Sequence, residues 1–374
     1  MLRPLAYERD NALNAICPYF TMFPLEYPMR ALKRHLAEVP VVMDPFCGRG
    51  TTLFAARKLG LSARGVDSSP VAVAIAQAKL AAVDTRRAVA LAKRYIERHA
   101  GTSAPDSKFF RAAFHPEVLQ HVCAIRQGLL GVQRNTDTTV ILRAAMLGCL
   151  HGPLSKTPER RSYFSNQMPR TFATKPDYSL RYWKQHKLKA PLVDVLKVLE
   201  RKLGRLDEAQ LPQTAALSNA RRGDSRLAMA VPLEGRDFSV VVTSPPYYGM
   251  RTYVEDQWLR SWFMGGPEHV VYGESVQIAH AGFDAFASSL GKVWKNMART
   301  NADSLDMYIR FGVIPSYKVD AKALVRASLE ESGTQWEEVS VRSAKTAASG
   351  KRQADHMAAE SSAAVEHDFH VRRI

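Results

Sequence analysis

Two short stretches of this chain combine residue types that could hold a ligand and act on it. The first, residues 44–52, reads Asp44-Pro45-Phe46-Cys47-Gly48-Arg49-Gly50-Thr51-Thr52. Its glycines let the backbone turn sharply and approach a ligand closely. It lies between an apolar run at 41–43 and a helical stretch at 51–59, the strand, loop and helix order in which doubly wound sheets bind nucleotides. The spacing is Gly-x-Gly without a third glycine, which disfavours a dinucleotide. Asp67 ends the next strand-like run, 63–66, with Ser68 beside it. Two carboxylate oxygens there match the vicinal hydroxyls of a ribose. Capping of the helix that begins at Pro70, by Asp67, Ser68 or Ser69, is the alternative, and both roles can hold at once.

The second stretch, Thr243-Ser244-Pro245-Pro246-Tyr247, directly follows an apolar, β-branched run at 238–242. Two successive prolines fix two φ angles and remove two donors, so the neighbouring carbonyls point outward without internal competitors. An aromatic ring after a rigid, acceptor-rich turn suits the grip of a flat base. Tyr247 would stack on it while Ser244 and the Pro245 carbonyl accept from its exocyclic amine. A polyproline-type partner ligand is the alternative reading of the same residues.

The elements that must position these loops alternate as strand 41–43, helix 51–59, strand 63–66 and helix 71–80, which predicts a parallel, doubly wound sheet. From about residue 86 to 220 the pattern is mainly helical, as at 117–130 and 191–203, and strand signals return at 238–242 and 306–311. The expected fold is therefore α/β, a Rossmann-like doubly wound sheet with a large, mainly helical insertion. Residues 1–100 form its first half, 101–216 the insertion, and 217–374 the second half and tail. Rich in Ala, Ser and charge, the stretch 342–374 is expected to be loosely ordered.

A formal charge of +16 over 374 residues favours a polyanionic partner through counterion release. Cys17, Cys47, Cys123 and Cys149 are scattered, which suggests neither zinc nor a disulfide framework and fits a reduced, cytoplasmic chain. Neither a signal-peptide core near the N-terminus nor an apolar run of membrane-spanning length is present, so no membrane association is expected. Inside the insertion, Lys156, Arg160, Arg161, Arg170, Lys175, Arg181, Lys184, Lys187 and Lys189 are interleaved with Tyr163, Phe164, Phe172, Tyr178, Tyr182 and Trp183. Cations suit phosphates and flat rings suit splayed bases, whereas a solvated charged face over core aromatics would read the same way. Trp258 and Trp262, four apart, are expected to pack a helix into a core.

Together the two loops resemble those of the S-adenosylmethionine-dependent amino-methyltransferases that modify cytosine N4 or adenine N6 in DNA. Residues 44–52 are similar to that family's Asp-Pro-Phe-x-Gly-x-Gly-Thr-Thr cofactor loop, with Arg49 where a serine is usual, and 243–247 match its Thr-Ser-Pro-Pro-Tyr catalytic loop. The resemblance implies S-adenosylmethionine as cofactor, held by Asp44, Pro45, Phe46, Gly48, Gly50, Thr51, Thr52, Asp67 and Ser68. It adds Thr21 and Phe23, in a segment that wraps the methionine end, and Asp224, near the adenine ring. Catalysis falls to Ser244, Pro245, Pro246 and Tyr247. Double-stranded DNA is the implied partner, with Arg160, Arg161, Lys184, Lys187 and Arg251 as candidate contacts, 101–216 as a target-recognition region, and a cognate restriction or defence nuclease as a further partner. Family members more often carry recognition beside or after the catalytic loop. Serine at 244 favours cytosine N4 over adenine N6, the alternative. An RNA amino-methyltransferase and a silent nucleic-acid-binding module are the more distant readings. Carbon-5 methylation is disfavoured because no cysteine follows a proline.

Overall fold

The computed structural model describes residues 9–18, 24–153, 161–168, 175–207, 211–215, 217–230, 237–249, 257–271, 282–314, 317–344 and 366–374. The chain divides into two compact units. One holds residues 20–76, 212–252 and 276–374, and the other 1–19, 77–211 and 253–275.

The first unit is built on seven strands: β1 (Val41–Asp44), β2 (Ser62–Asp67), β3 (Asn219–Arg222), β4 (Val240–Thr243), β5 (Asp306–Gly312), β6 (Trp336–Ala344) and β7 (Glu366–Arg373). They form one sheet in the order β3-β2-β1-β4-β5-β7-β6. β3 to β5 in that order are parallel, and β7 runs antiparallel to both β5 and β6. The sheet starts at its centre with β1, grows outward to β3, and returns to β4 on the other side of β1. Ligands of doubly wound sheets bind outside the carboxyl ends of the strands at such a reversal. Every residue of β1, β4 and β5 is buried; β1 and β4 read as apolar runs for that reason, whereas β5 also buries Asp306 and Arg310, which pair with charged residues of β7. The helices of this unit are α1 (Glu26–Leu32), α2 (Thr51–Lys58), the start of α3 (Pro70–Leu80), α11 (Phe283–Met297) and α12 (Ala321–Glu330). Phe286, Leu290 and Trp294 of α11 and Leu324 of α12 close the core over Met43, Val241, Met307 and Phe369.

The second unit is helical: α4 (Thr85–Arg98), α5 (Lys108–Ala113), α6 (Pro116–Leu130), α7 (Asp137–Cys149), α8 (Pro176–Gln185), α9 (Val195–Asp207) and α10 (Trp258–Phe263). Caps set where these helices begin. Asp84 accepts from the Arg87 N–H ahead of α4, and Thr136 and Thr139 form a reciprocal capping box ahead of α7. Phe109, Phe110, Trp183, Trp258 and Trp262 pack as an aromatic cluster with ring centroids 4.8–5.9 Å apart, placing both tryptophans of α10 in a core.

Residues 366–373, at the end of the C-terminal stretch, depart from the expectation of loose order, while 345–365 lie outside the described residues. β7 lies inside the sheet, with Phe369 and Val371 buried, and its residues 366–372 pair with all of β5. Its charged residues hid it: Asp368 pairs with Arg310, and His370 and Arg372 both reach Asp306. Those partners lie far off in sequence, so local periodicity cannot show that the charges are satisfied. β3 was also unmarked, because Asn-Ala-Arg-Arg on a sheet edge has one buried residue in four.

Candidate active site

Every residue of the two motif loops is described, and both loops leave the same end of the sheet, from adjacent strands β1 and β4. Thr243 Oγ1, at the end of β4, donates to Asp44 Oδ1, at the end of β1, at 2.7 Å, joining residues 199 apart in the chain. Asp44 Oδ1 also accepts from the Phe46 N–H at 3.1 Å, while Oδ2 is buried with no hydrogen-bond partner among the described residues. Burial, opposed by the hydrogen bond from Thr243, pushes the Asp44 carboxyl up to about 6.

Backbone geometry explains both loop glycines. Gly48 and Gly50 have φ of +48° and +76°, in the left-handed region, and a Cβ on Gly50 would lie 2.8 Å from Ala76 in α3. The loop is braced from three further strands. Asp67 Oδ2, after β2, accepts from the Gly48 N–H at 2.9 Å; Ser225 Oγ, after β3, donates to the Pro45 carbonyl at 2.6 Å; Thr52 Oγ1 donates to the Val242 carbonyl of β4 at 3.1 Å. Thr51 and Thr52 are buried, and Phe46 packs edge-on against Trp294.

Asp67 therefore does more than the sequence suggested. Its Oδ1 accepts from the Ser69 N–H at 2.8 Å, and Ser69 Oγ accepts from Ala72 at the start of α3. The helix cap falls to Ser69, and Asp67 clamps the glycine loop to β2. Each carboxylate oxygen retains a second lone pair for a ligand hydroxyl. Burial raises the Asp67 carboxyl above its ordinary range, and the two backbone donors pull against it. Ser68 is exposed beside it. Asp224 is held in a two-pronged ion pair by Arg226 at 2.7–3.0 Å, and those hydrogen bonds outweigh burial and keep its carboxyl below the usual range.

In the second loop Pro245 is buried, and Ser244, Pro246 and Tyr247 are half-buried. The Tyr247 hydroxyl donates to Glu366 Oε1 of β7 at 2.9 Å, and its ring meets Phe311 edge-on with centroids 5.8 Å apart. Burial first, then the Glu366 carboxylate, drives the Tyr247 phenol well above its ordinary 10, against a hydrogen bond from Ser244. Arg310 lies 3.9 Å from Glu366 Oε2 and grips Asp368 at 2.6 and 2.8 Å, and Arg30 joins Asp368 at 3.1 Å. Glu366, Arg310 and Asp368 support the loop without having been visible as site residues. Beyond the loop, Tyr248 accepts at its carbonyl from the Ile314 N–H at 3.1 Å and is buried against Phe286 and Tyr317.

Thr21, Phe23, Arg160 and Arg251 lie outside the described residues. In the helical unit, Arg161 is half-buried and Lys184 and Lys187 are exposed. Tyr178, Arg181 and Lys184, spaced by three residues on α8, share an exposed face. Phe164 and Trp183, by contrast, are buried, and the Trp183 Nε1–H donates to the Gln167 carbonyl at 3.0 Å. Those two rings of the basic stretch are core, as the alternative reading has it.

Residues 2–78 match the family model described as DNA methylase. Over 80 residues the chain is 35% identical to the type II methyltransferase M.MjaII of Methanocaldococcus jannaschii, covering 21% of this chain and 15% of that protein. The resemblance to DNA amino-methyltransferases thus stands on the N-terminal stretch that includes the glycine loop and Asp67. Among solved structures, the rRNA methyltransferase AviRa from Streptomyces viridochromogenes is similar over 99% of this chain and 95% of its own, at 13% identity and a TM-score of 0.35. That degree of likeness assigns neither activity nor substrate. No helix among the described residues is long and apolar enough to cross a membrane.

Proposed function

We propose that this chain transfers a methyl group from S-adenosylmethionine to an exocyclic base amine of double-stranded DNA, cytosine N4 foremost. The observation that carries the reading is the meeting of the two loops at the sheet's switch point, fastened by the 2.7 Å bond from Thr243 to Asp44. The residues present fit the cofactor. A fully buried carboxylate with an unpartnered oxygen at Asp44 suits a cationic ligand, and the left-handed glycines let backbone approach it. Asp44, Gly48, Gly50, Asp67 and Asp224 would hold S-adenosylmethionine, which supplies an electrophilic methyl when bound. The chain's own part is positioning. Ser244 and the Pro245 carbonyl accept from the amine and draw its lone pair out of conjugation, Tyr247 stacks on the extruded base, and in-line attack needs no covalent enzyme intermediate. Well-oriented reactants account for up to roughly 7–11 kcal/mol of a barrier.

A hydroxyl at 244 is a weaker acceptor than a carboxylate and can also donate, which favours cytosine as substrate. Mass spectrometry of nucleosides from treated duplex DNA is expected to show N4-methylcytosine. N6-methyladenine alone would overturn the base assignment, and methyl groups found only in RNA would overturn the substrate class.

Asp67→Ala is expected to weaken S-adenosylmethionine binding by ~1–3 kcal/mol, since charge-assisted bonds are lost and Gly48 is unclamped. Calorimetry on both proteins measures this, and equal affinities would remove Asp67 from the site.

A further inference from the structure

Residues 77–211 carry 24 Lys+Arg against 11 Asp+Glu, a net +13 within a chain of +16. In that stretch a trough of about 500 Å³ runs between α4 and the segment joining α6 to α7, with Arg87, Arg94, Tyr95, Arg134, Thr136 and Thr138 among its walls. Among the described residues no carboxylate lines it. Arg87 shares an exposed ion pair with Asp84 at 3.3 Å, while Arg94 and Arg134 have no ion pair among the described residues.

Guanidinium groups match phosphate oxygens two at a time, and the Thr138 hydroxyl adds a single donor, while that of Thr136 is engaged in the capping box with Thr139. Arg87 and Arg94 are seven residues apart on one face of α4, roughly 10 Å along the helix axis, so they can reach separate phosphates of one backbone. Among the described residues Tyr95 is the one aromatic lining the trough, and its ring is spent on packing: a Cβ on Gly128 of α6 would come within 2.4 Å of it. The trough therefore offers cations and a hydroxyl without a free stacking platform. Single strands are gripped by stacking as well as charge, whereas a duplex presents only its phosphates to such a surface. We infer that this trough is a binding site for the phosphodiester backbone of duplex DNA, with Arg87, Arg94 and Arg134 as its phosphate ligands. The inference rests on the duplex-DNA reading above and adds a contact surface separate from the basic face of α8.

The test is fluorescence anisotropy of a labelled duplex of mixed sequence, titrated with the full chain at several salt concentrations. The variant combines Arg94→Gln and Arg134→Gln. Lys33→Gln with Lys318→Gln, exposed cations of the other unit, removes the same charge and serves as the control. Melting curves confirm that each is folded. The slope of log affinity against log salt is expected to fall by about 0.9 for each lost phosphate contact, thus by nearly 2 for the variant and by much less for the control. Equal slopes in variant and wild type, or equal losses in variant and control, would overturn the trough assignment while leaving the enzyme reading intact. A loss seen with single-stranded RNA and not with duplex would overturn the choice of partner. Wild-type protein that binds no duplex at any salt concentration would defeat the DNA reading itself.

Discussion

Replacing Asp44 by Asn is expected to stabilise the unliganded protein near neutral pH while weakening its hold on S-adenosylmethionine. The cause is a carboxylate that folding buries completely and leaves with one unpartnered oxygen. Its pKa rises from 3.8 to about 6 on burial, so folding favours the neutral acid. That favourable contribution is complete below pH 3.8 and is lost as the pH climbs through 6. At pH 7 the ionised group then costs the folded state up to about 3 kcal/mol relative to acid conditions, at 1.36 kcal/mol per unit. Asn keeps an acceptor for Thr243 and Phe46 without the charge. The Asp44→Asn melting temperature should exceed that of wild type at pH 7.5, and the gap should close toward pH 4. Cofactor binding should run the other way. A cationic ligand favours the ionised carboxylate, so wild-type affinity should fall about fivefold between pH 6 and 5, with a proton released on binding. Calorimetry in two buffers of different ionisation enthalpy reads both effects. Asp67, the acid across the loop, also has a raised carboxyl, so the Asp44→Asn profile, expected to be much flatter, separates the two contributions. Wild-type affinity that stays constant from pH 5 to 7 would place Asp44 away from the cofactor's charge.

What the sequence could show of this site follows the physics of its parts. Parallel strands buried on both faces must be apolar, so β1 and β4 were legible, and the loops at their ends carried glycine and proline whose conformational demands are local. The bracing was not legible. The Thr243 to Asp44, Ser225 to Pro45 and Tyr247 to Glu366 bonds join residues 199, 180 and 119 apart, and nothing in any one segment announces its partner. The basic run of the insertion was ambiguous for a different reason. Phe164 and Trp183 have the composition of a base-stacking surface, yet they fill the helical core, because aromatic rings serve both ends equally well.

The clearest long-range brace leads to the largest expected effect on turnover. Tyr247 is fixed before any base arrives: its ring rests edge-on against Phe311, and its hydroxyl is bonded to Glu366 at 2.9 Å. Glu366 stands in turn beside Arg310, which Asp368 holds with two bonds. A ring held this way is ready to stack without first giving up rotamer freedom. Tyr247→Ala removes the stacking surface, worth about 1–3 kcal/mol per base, and should lower kcat/KM on DNA by about 5- to 150-fold. Affinity for S-adenosylmethionine should stay near wild type, since the cofactor loop is braced by Asp67, Ser225 and Thr243 and makes no use of Tyr247. Tyr247→Phe separates stacking from positioning. It keeps the ring and removes the hydroxyl's bond to the Glu366 carboxylate, typically worth about 1.5–3 kcal/mol, together with its contact with Ser244, so its loss should appear as weakened positioning. Glu366→Gln, which retains an acceptor for the Tyr247 hydroxyl, should recover much of what Glu366→Ala loses. Steady-state kinetics on duplex DNA, paired with cofactor calorimetry on the same proteins, decides the matter. If Tyr247→Ala turns over like wild type, or loses cofactor affinity in proportion to activity, the ring does not hold the base.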